Sequence, residues 1–297
     1  MSLDMFLQHL ANGISLGGLY ALIAIGYTMV YGILRLINFA HGDIFMMSAY
    51  MAFYGVSLFT LPWYVSFALT IPLAAILGMV VERVAYRPLR DAPRISVLIS
   101  AIGVSLLLQN VAVVAFGGRP KAFPRPSLFD QRWNLGGVRI LSLTFFIIVI
   151  SLLILVGVFY LVYKTKTGRA MRAVAWDFGV ASLMGININQ VTSLTFAIGS
   201  GLAAAGSIMW GMKFPLLLPL MGVVPGLKCF IAAVVGGIGS IPGALLGGFL
   251  LGVGEIMIVA FLPELAGYKY AFAYLALILI LLVKPTGLFG KVAEEKA

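Results

Sequence analysis

The sequence predicts an all-α fold, a polytopic transmembrane bundle of about nine spans, some short or broken. Three observations lead there. Of the 297 residues, 62% are hydrophobic and only 10% charged, against about a quarter charged in a soluble domain. Apolar runs approach the ~20 residues that a ~30 Å hydrocarbon core requires of a helix. Lys and Arg collect between those runs, where membrane topology uses them. No polar stretch is long enough for a separate soluble domain, so residues 1–297 read as one membrane domain.

The elements follow in order. "MSLDMFLQHLANG" has no Lys or Arg and no small-residue cleavage site, so no cleaved signal peptide is expected. The strong spans are Ile14–Leu34, Ile44–Thr60, Pro62–Val81, Ser96–Phe116, Leu141–Tyr163, Val191–Met212 and Tyr268–Val283. Between Gly226 and Leu262 the apolar run is too long for one helix, and "VVGGIGSIPGALLGG" divides it into Val223–Val235, which is short, and Pro242–Phe261.

Loop charge then orients the chain. Arg83, Arg87, Arg90 and Arg94 occupy one loop, Lys164, Lys166, Arg169 and Arg172 a second, and Lys284, Lys291 and Lys296 the C-terminal tail. Alternating crossings gather all three on one side, the cytoplasmic side by the positive-inside bias. The N-terminus is then expected outside and the C-terminus inside. Residues 117–140 dissent, being external yet holding Arg119, Lys121, Arg125, Arg132 and Arg139. Pro120, Pro124 and Pro126 stiffen that loop.

Small residues recur every four positions: Gly13, Gly17 and Ala21; Gly199, Ala203, Ser207 and Gly211; and the overlapping pairs Gly243–Gly247 and Gly248–Gly252. Residues four apart share a helix face, and small ones let membrane helices approach closely.

The stretch "GYTMVYGILRLINFAHGDIFMM" interrupts two apolar helices with polar residues. Polar backbone at membrane depth survives only against protein or a watery cavity. Asn38, His41 and Asp43 are therefore candidates for a broken helix beside a transport path, the plainer reading being a short loop anchored by Arg35. Lys228 and Glu255 are two charges inside spans. Measured from the turn near Gly239–Ser240, they stand roughly 17 Å and 23 Å up their helices at ~1.5 Å per residue. A lone charge in hydrocarbon costs ~2.5–3.5 kcal/mol on the milder scales, so the two are expected to pair, directly or through one water, the plainer readings being a Lys228 that snorkels to the outer headgroups and a protonated Glu255 bonded to a backbone carbonyl.

Several classes fall away. The net charge of +10 belongs to the topology loops, and no basic–aromatic groove points to nucleic acid. Cys229, the single cysteine, permits no disulfide framework and reads as a packing residue. His9 and His41 are too few and too separate for a metal site. No catalytic constellation is present, no cofactor is implied, and no G-x-x-x-x-G-K-[ST] loop occurs to bind ATP.

"NGISLGGLYALIAIGYTMVYGILRLINFAHGD", "TKTGRAMRAVAWDFGVASLMGIN", "GLKCFIAAVVGGIGSIPGALLGG" and "VKPTGLFG", in that order, resemble the LivH/BraD-type permeases of branched-chain amino acid ABC transporters. At 176–181 the run "WDFGVA" departs from that family's more polar, acidic segment. The resemblance implies a multi-pass permease of the bacterial inner membrane. A periplasmic binding protein would deliver Leu, Ile or Val, a second related permease would complete the path, and two cytoplasmic ATP-binding subunits would drive it. An ATPase is expected to dock on the turn Gly236, Gly237, Ile238, Gly239 and Ser240, with Gly168, Arg169 and Arg172 nearby. Loop 117–140 is a candidate surface for the binding protein. The competing reading, an ion-coupled secondary transporter of small hydrophobic solutes, wants ionisable residues near mid-membrane, and only Glu255 and Asp43 qualify.

Overall fold

The computed structural model describes residues 2–90, 92–135 and 137–290. In chain order the helices are α1 (Leu3–Leu34), α2 (His41–Ser57), α3 (Trp63–Val81) and α4 (Arg94–Phe116). A hairpin of β1 (Arg132–Leu135) and β2 (Val138–Leu141) precedes α5 (Ser142–Lys164), α6 (Lys166–Trp176) and α7 (Phe178–Leu183). The chain ends with α8 (Ile188–Lys213), α9 (Val223–Gly236), α10 (Ile241–Phe261) and α11 (Lys269–Val283).

Among the described residues seven helical segments, not nine, are long and apolar enough to cross a membrane. Of the nine spans expected, some short or broken, α2 and α9 are the short ones. With 17 and 14 residues they reach about 26 and 21 Å, short of a ~30 Å core. The all-α expectation has one exception, the antiparallel hairpin that pairs Arg132 with Leu141 and Leu135 with Val138. It closes the loop 117–140 and runs one residue past it, to Leu141.

Packing explains the layout. The apolar window of α1 is 94% buried and that of α11 only 6%, so α1 is the hub. The small-residue faces make this possible. A Cβ on Gly252 would run into the backbone of Gly17, and one on Gly248 would stand 2.5 Å from the Ala21 amide nitrogen. Gly243 and Gly247 turn instead toward Gly236 and Ala232 of α9. The two overlapping glycine pairs of α10 thus serve two neighbours. In α8 the same pattern seats Gly199 against Gly26 and Gly211 against Phe123. Close backbone approach replaces the hydrophobic drive that lipid removes.

The ends of α1 and α3 meet the start of α8 at one end of the bundle, around a cavity lined by Leu34, Glu82, Arg90 and Ile188. There Arg90 donates to Asn189 (2.9 Å), and the Phe289 amide donates to the Gly236 carbonyl (2.8 Å). Loop 117–140 covers the opposite end. Lys121 and Leu217 exchange backbone hydrogen bonds of 3.1 and 2.9 Å, Phe123 is buried, and Arg125 donates to the Met212 carbonyl (2.8 Å) and pairs with Asp130 (3.0 Å).

Candidate functional site

The break after α1 is a re-entrant passage. Arg35 ends the helix in the left-handed region (φ 53), its amide donating to the Tyr31 carbonyl at 2.7 Å. Residues 35–40 are non-helical, and α2 begins at His41 with no side-chain cap. Three contacts fix the depth of that start. A Cβ on Gly26 would stand 2.7 Å from His41 Cε1. The rings of Tyr27 and His41 are 4.5 Å apart. Asp43 meets Ser105, the central residue of the 23-residue apolar helix α4. The chain therefore climbs from the end of α1 to the middle of the bundle before becoming helical again.

The start of α9 faces the start of α2. A Cβ on Gly42 would lie 2.7 Å from the Gly222 carbonyl oxygen and 3.2 Å from Gly226 Cα, so only glycine allows these backbones to touch. Both short helices thus begin inside the bundle, which accounts for their length. Between their first turns and α4 lies a cavity of about 120 Å³, lined among others by Tyr27, Asp43, Gln109 and Gly222.

The three residues singled out in this stretch are all buried: Asn38, His41 and Asp43 are 2%, 1% and 2% exposed. Asn38 Oδ1 accepts from the Tyr86 hydroxyl (3.0 Å), while its Nδ2 and His41 Nε2 have no hydrogen-bond partner. Asp43 accepts from Ser105 Oγ (2.5 Å) and Gln109 Nε2 (3.1 Å), and Gln109 also donates to Ser105 (3.1 Å). Ser105 and Gln109 lie four apart on one face of α4, and that spacing next to Asp43 was the available signal for them.

Lys228 and Glu255 come together. Lys228 Nζ is 2.8 and 2.7 Å from the two carboxylate oxygens, with the side chains only 6% and 8% exposed. The Tyr20 hydroxyl donates to Glu255 (2.8 Å) and accepts from Lys228 (3.0 Å). The ring of Tyr270 lies 4.1 Å from Nζ, and Lys269 Nζ is 3.7 Å from Glu255 Oε1. Every polar atom of the pair is used. The charges come from α9 and α10, and their supports from α1 and α11.

Sequence reasoning missed a third buried carboxylate. Glu82, wholly buried at the end of α3, meets Arg87 (3.1 Å) and Arg90 (3.3 Å). It also accepts from Ser193 Oγ (2.5 Å) and Thr192 Oγ1 (3.3 Å) of α8. Beside it opens a cavity of about 520 Å³ that includes Phe178 and Gly179, two residues of the unusual 176–181 run.

At the same end, Gly236 and Gly237 are buried. The tail segment covers them, a Cβ on Gly237 coming within 2.9 Å of Gly290 Cα. Of the turn named for ATPase docking, Gly239 is exposed and Ile238 and Ser240 are partly exposed. Gly168 is buried under the Thr165 cap (3.1 Å). Arg169 is exposed, and Arg172 donates to the Val162 carbonyl. Arg172 and Gly239 line one shallow groove of about 90 Å³, so the two halves of the expected surface are neighbours. Exposed apolar side chains here include Val180 and Leu183 of α7 and Met184 just after it.

Comparison with known proteins gives a consistent answer over the whole length. The family described as the permease component of branched-chain amino acid transport systems matches residues 9–281. The high-affinity branched-chain amino acid transport system permease BraD of Pseudomonas aeruginosa is 43% identical over 98% of each chain. LivH of Escherichia coli K12, of the same description, is 42% identical over 98% of this chain and 97% of its own. A probable LivH of Methanocaldococcus jannaschii is 29% identical over 95% of this chain and 91% of its own.

Proposed function

The chain belongs to the branched-chain amino acid transport permease family, and from that premise we propose how it is placed and what it carries. It is a membrane-spanning permease subunit of an ATP-driven importer, in which ATP hydrolysis falls to a separate subunit. Its cargo is Leu, Ile, Val or another apolar amino acid, handed over by a binding protein. A second homologous permease and two ATP-binding subunits complete the assembly. The N-terminus lies outside and the C-terminus inside, which puts the Arg83–Arg94 loop, residues 164–187 and the tail in the cytoplasm. The segments expected as nine crossings keep their alternation, the non-helical residues 35–40 and 214–222 covering the half of the membrane that the short helices α2 and α9 do not.

One observation supports a path through this chain: α2 and α9 both start inside the bundle around a cavity that Asp43, Ser105 and Gln109 help to line. Broken helices at mid-membrane are how transporters free backbone and polar groups for a solute. Asn38, His41 and Asp43 belong to that path, and the Lys228–Glu255 pair stands beside it. The ATPase docks on Ile238–Ser240, Arg169, Arg172 and the apolar side chains of α7. Gly236, Gly237 and Gly168 support that surface from beneath. The binding protein meets the outer loop, where Arg119, Arg132 and Arg139 are exposed. Complementary charge there raises the encounter rate.

The test is reconstitution of the full chain with its partner subunits in proteoliposomes. Leucine uptake should require ATP and the binding protein and persist when proton and sodium gradients are collapsed. Uptake driven by an ion gradient without ATP would select the secondary-transporter reading.

A further inference from the structure

We propose that the Asp43–Ser105–Gln109 cluster is the intramembrane site that receives the α-ammonium group of the transported amino acid. The inference rests on the permease reading and adds to it a site and a recognised group. Among the described residues Asp43 takes part in no ion pair. Its neighbours are the hydroxyl of Ser105 and the amide of Gln109. These are neutral donors, which complement a carboxylate without cancelling its charge. The side chain sits in the first turn of α2, where the helix dipole favours an anion. It also faces a cavity, unlike Glu255, whose oxygens are closed off by Lys228, Lys269 and Tyr20. A carboxylate at mid-bundle with no cation and open space beside it has the chemistry to bind a small cation. The ammonium of a neutral amino acid fits: it is positive, makes three hydrogen bonds, and brings its own apolar side chain.

The cavity's size agrees. About 120 Å³ is roughly four waters' share at ~30 Å³ each. That holds the polar head of an amino acid and leaves the side chain toward the open mouth. Val223 and Leu227 at the mouth are apolar and exposed.

The experiment uses the reconstituted transporter and leucine. Asp43→Asn keeps the size of the side chain and an oxygen for Gln109, and replaces the charged oxygen that accepts from Ser105 with a neutral NH₂. ATP-driven leucine uptake should fall roughly 30-fold, the scale of losing one partner of a desolvated charge pair. A second readout does not depend on turnover. Val223→Cys puts a thiol at the mouth of the cavity, while the native Cys229 is buried. Leucine should protect that thiol from alkylation, and isocaproate, the same carbon skeleton without the ammonium, should not. With Asp43→Asn added, leucine protection should disappear. Wild-type uptake by Asp43→Asn, or equal protection by leucine and isocaproate, overturns the site. If Asp43→Asn fails to assemble, the leucine–isocaproate comparison on the Val223→Cys chain decides alone. Absence of ATP-driven leucine uptake by the unsubstituted transporter would instead overturn the permease reading, a result visible before any Asp43 variant is made.

Discussion

Glu255 and Asp43 are both carboxylates buried among apolar helices, yet their surroundings differ in kind. Glu255 has an ammonium at 2.7 Å, a second at 3.7 Å and a tyrosine hydroxyl at 2.8 Å. Those partners come from α1, α9 and α11, so the cluster ties four helices together. Asp43 has two neutral donors from one helix and a cavity. A buried charge that is fully paired is tolerated, and one that is not must be explained by what binds it. The first arrangement holds the bundle together, and the second has capacity left for a ligand. The contrast predicts opposite signs when each charge is removed.

The largest effect belongs to the paired site. Lys228→Met leaves Glu255 with Tyr20 and the more distant, partly exposed Lys269. Breaking a buried pair from one side costs ~3–5 kcal/mol, and Lys269 brings the expectation to the lower end, about 3 kcal/mol. Glu255→Gln should cost a comparable amount by stranding Lys228. The double change removes both charges and should recover most of the loss. Thermal unfolding in detergent, run as a double-mutant cycle, reads this directly. Losses that simply add would show that the two residues are not coupled and would erase the distinction between the sites.

Glu82 sharpens the comparison from between the extremes. Its carboxylate is buried, but its arginine partners are 29% and 22% exposed. Glu82→Gln keeps an acceptor for Ser193 and Thr192 and loses the charge-assisted part of the contact, an expected cost of about 1–2 kcal/mol. Solvent reaches the arginines, so the deficit should shrink as salt is raised, whereas the Lys228–Glu255 deficit should not. Equal salt sensitivity at the two sites would place Glu255 nearer water than its burial indicates.

How far these sites could be read from sequence follows from what each depends on. Most helix ends were legible within a few residues, because prolines and glycines mark them: Pro242–Phe261 was expected where α10 runs Ile241–Phe261. The start of α1 was not. Asp4, Gln8, His9 and Asn12 lower the hydropathy of residues 3–13, yet the helix extends back to Leu3, with Ser2 Oγ accepting from the Met5 amide (3.4 Å). Lys228 and Glu255 could be matched because they are charges at similar heights on consecutive spans. Tyr20 and Tyr270 could not, being aromatic residues in apolar helices with nothing local to set them apart. Glu82 was hidden among four arginines that topology alone already explained. The burial of Gly236 and Gly237 depends on the tail folding back, a tertiary event with no local signature. The break at 35–43 was visible as a polar interruption, but its depth is set by contacts with Gly26 of α1, Ser105 of α4 and Gly222 just before α9.

The smallest effect on stability, and the one of opposite sign, belongs to Asp43. With no ligand bound, its charge is desolvated against neutral donors only. Asp43→Asn removes that charge and keeps the shape. Its amide oxygen still accepts from Gln109, its NH₂ can donate to Ser105 Oγ, and the Ser105 hydroxyl can turn to the helix carbonyl four residues back. The substitution should therefore raise the stability of the ligand-free protein slightly, by about 1 kcal/mol, as happens where a functional group is held at a cost to folding. Leucine should raise the melting temperature of the native chain by mass action and leave that of Asp43→Asn unmoved, so the two unfolding curves should converge as leucine is added. A loss of several kcal/mol on Asp43→Asn would make the residue a structural tie of the Glu255 kind. Melting temperatures that rise equally with leucine in both chains would move the ammonium site elsewhere.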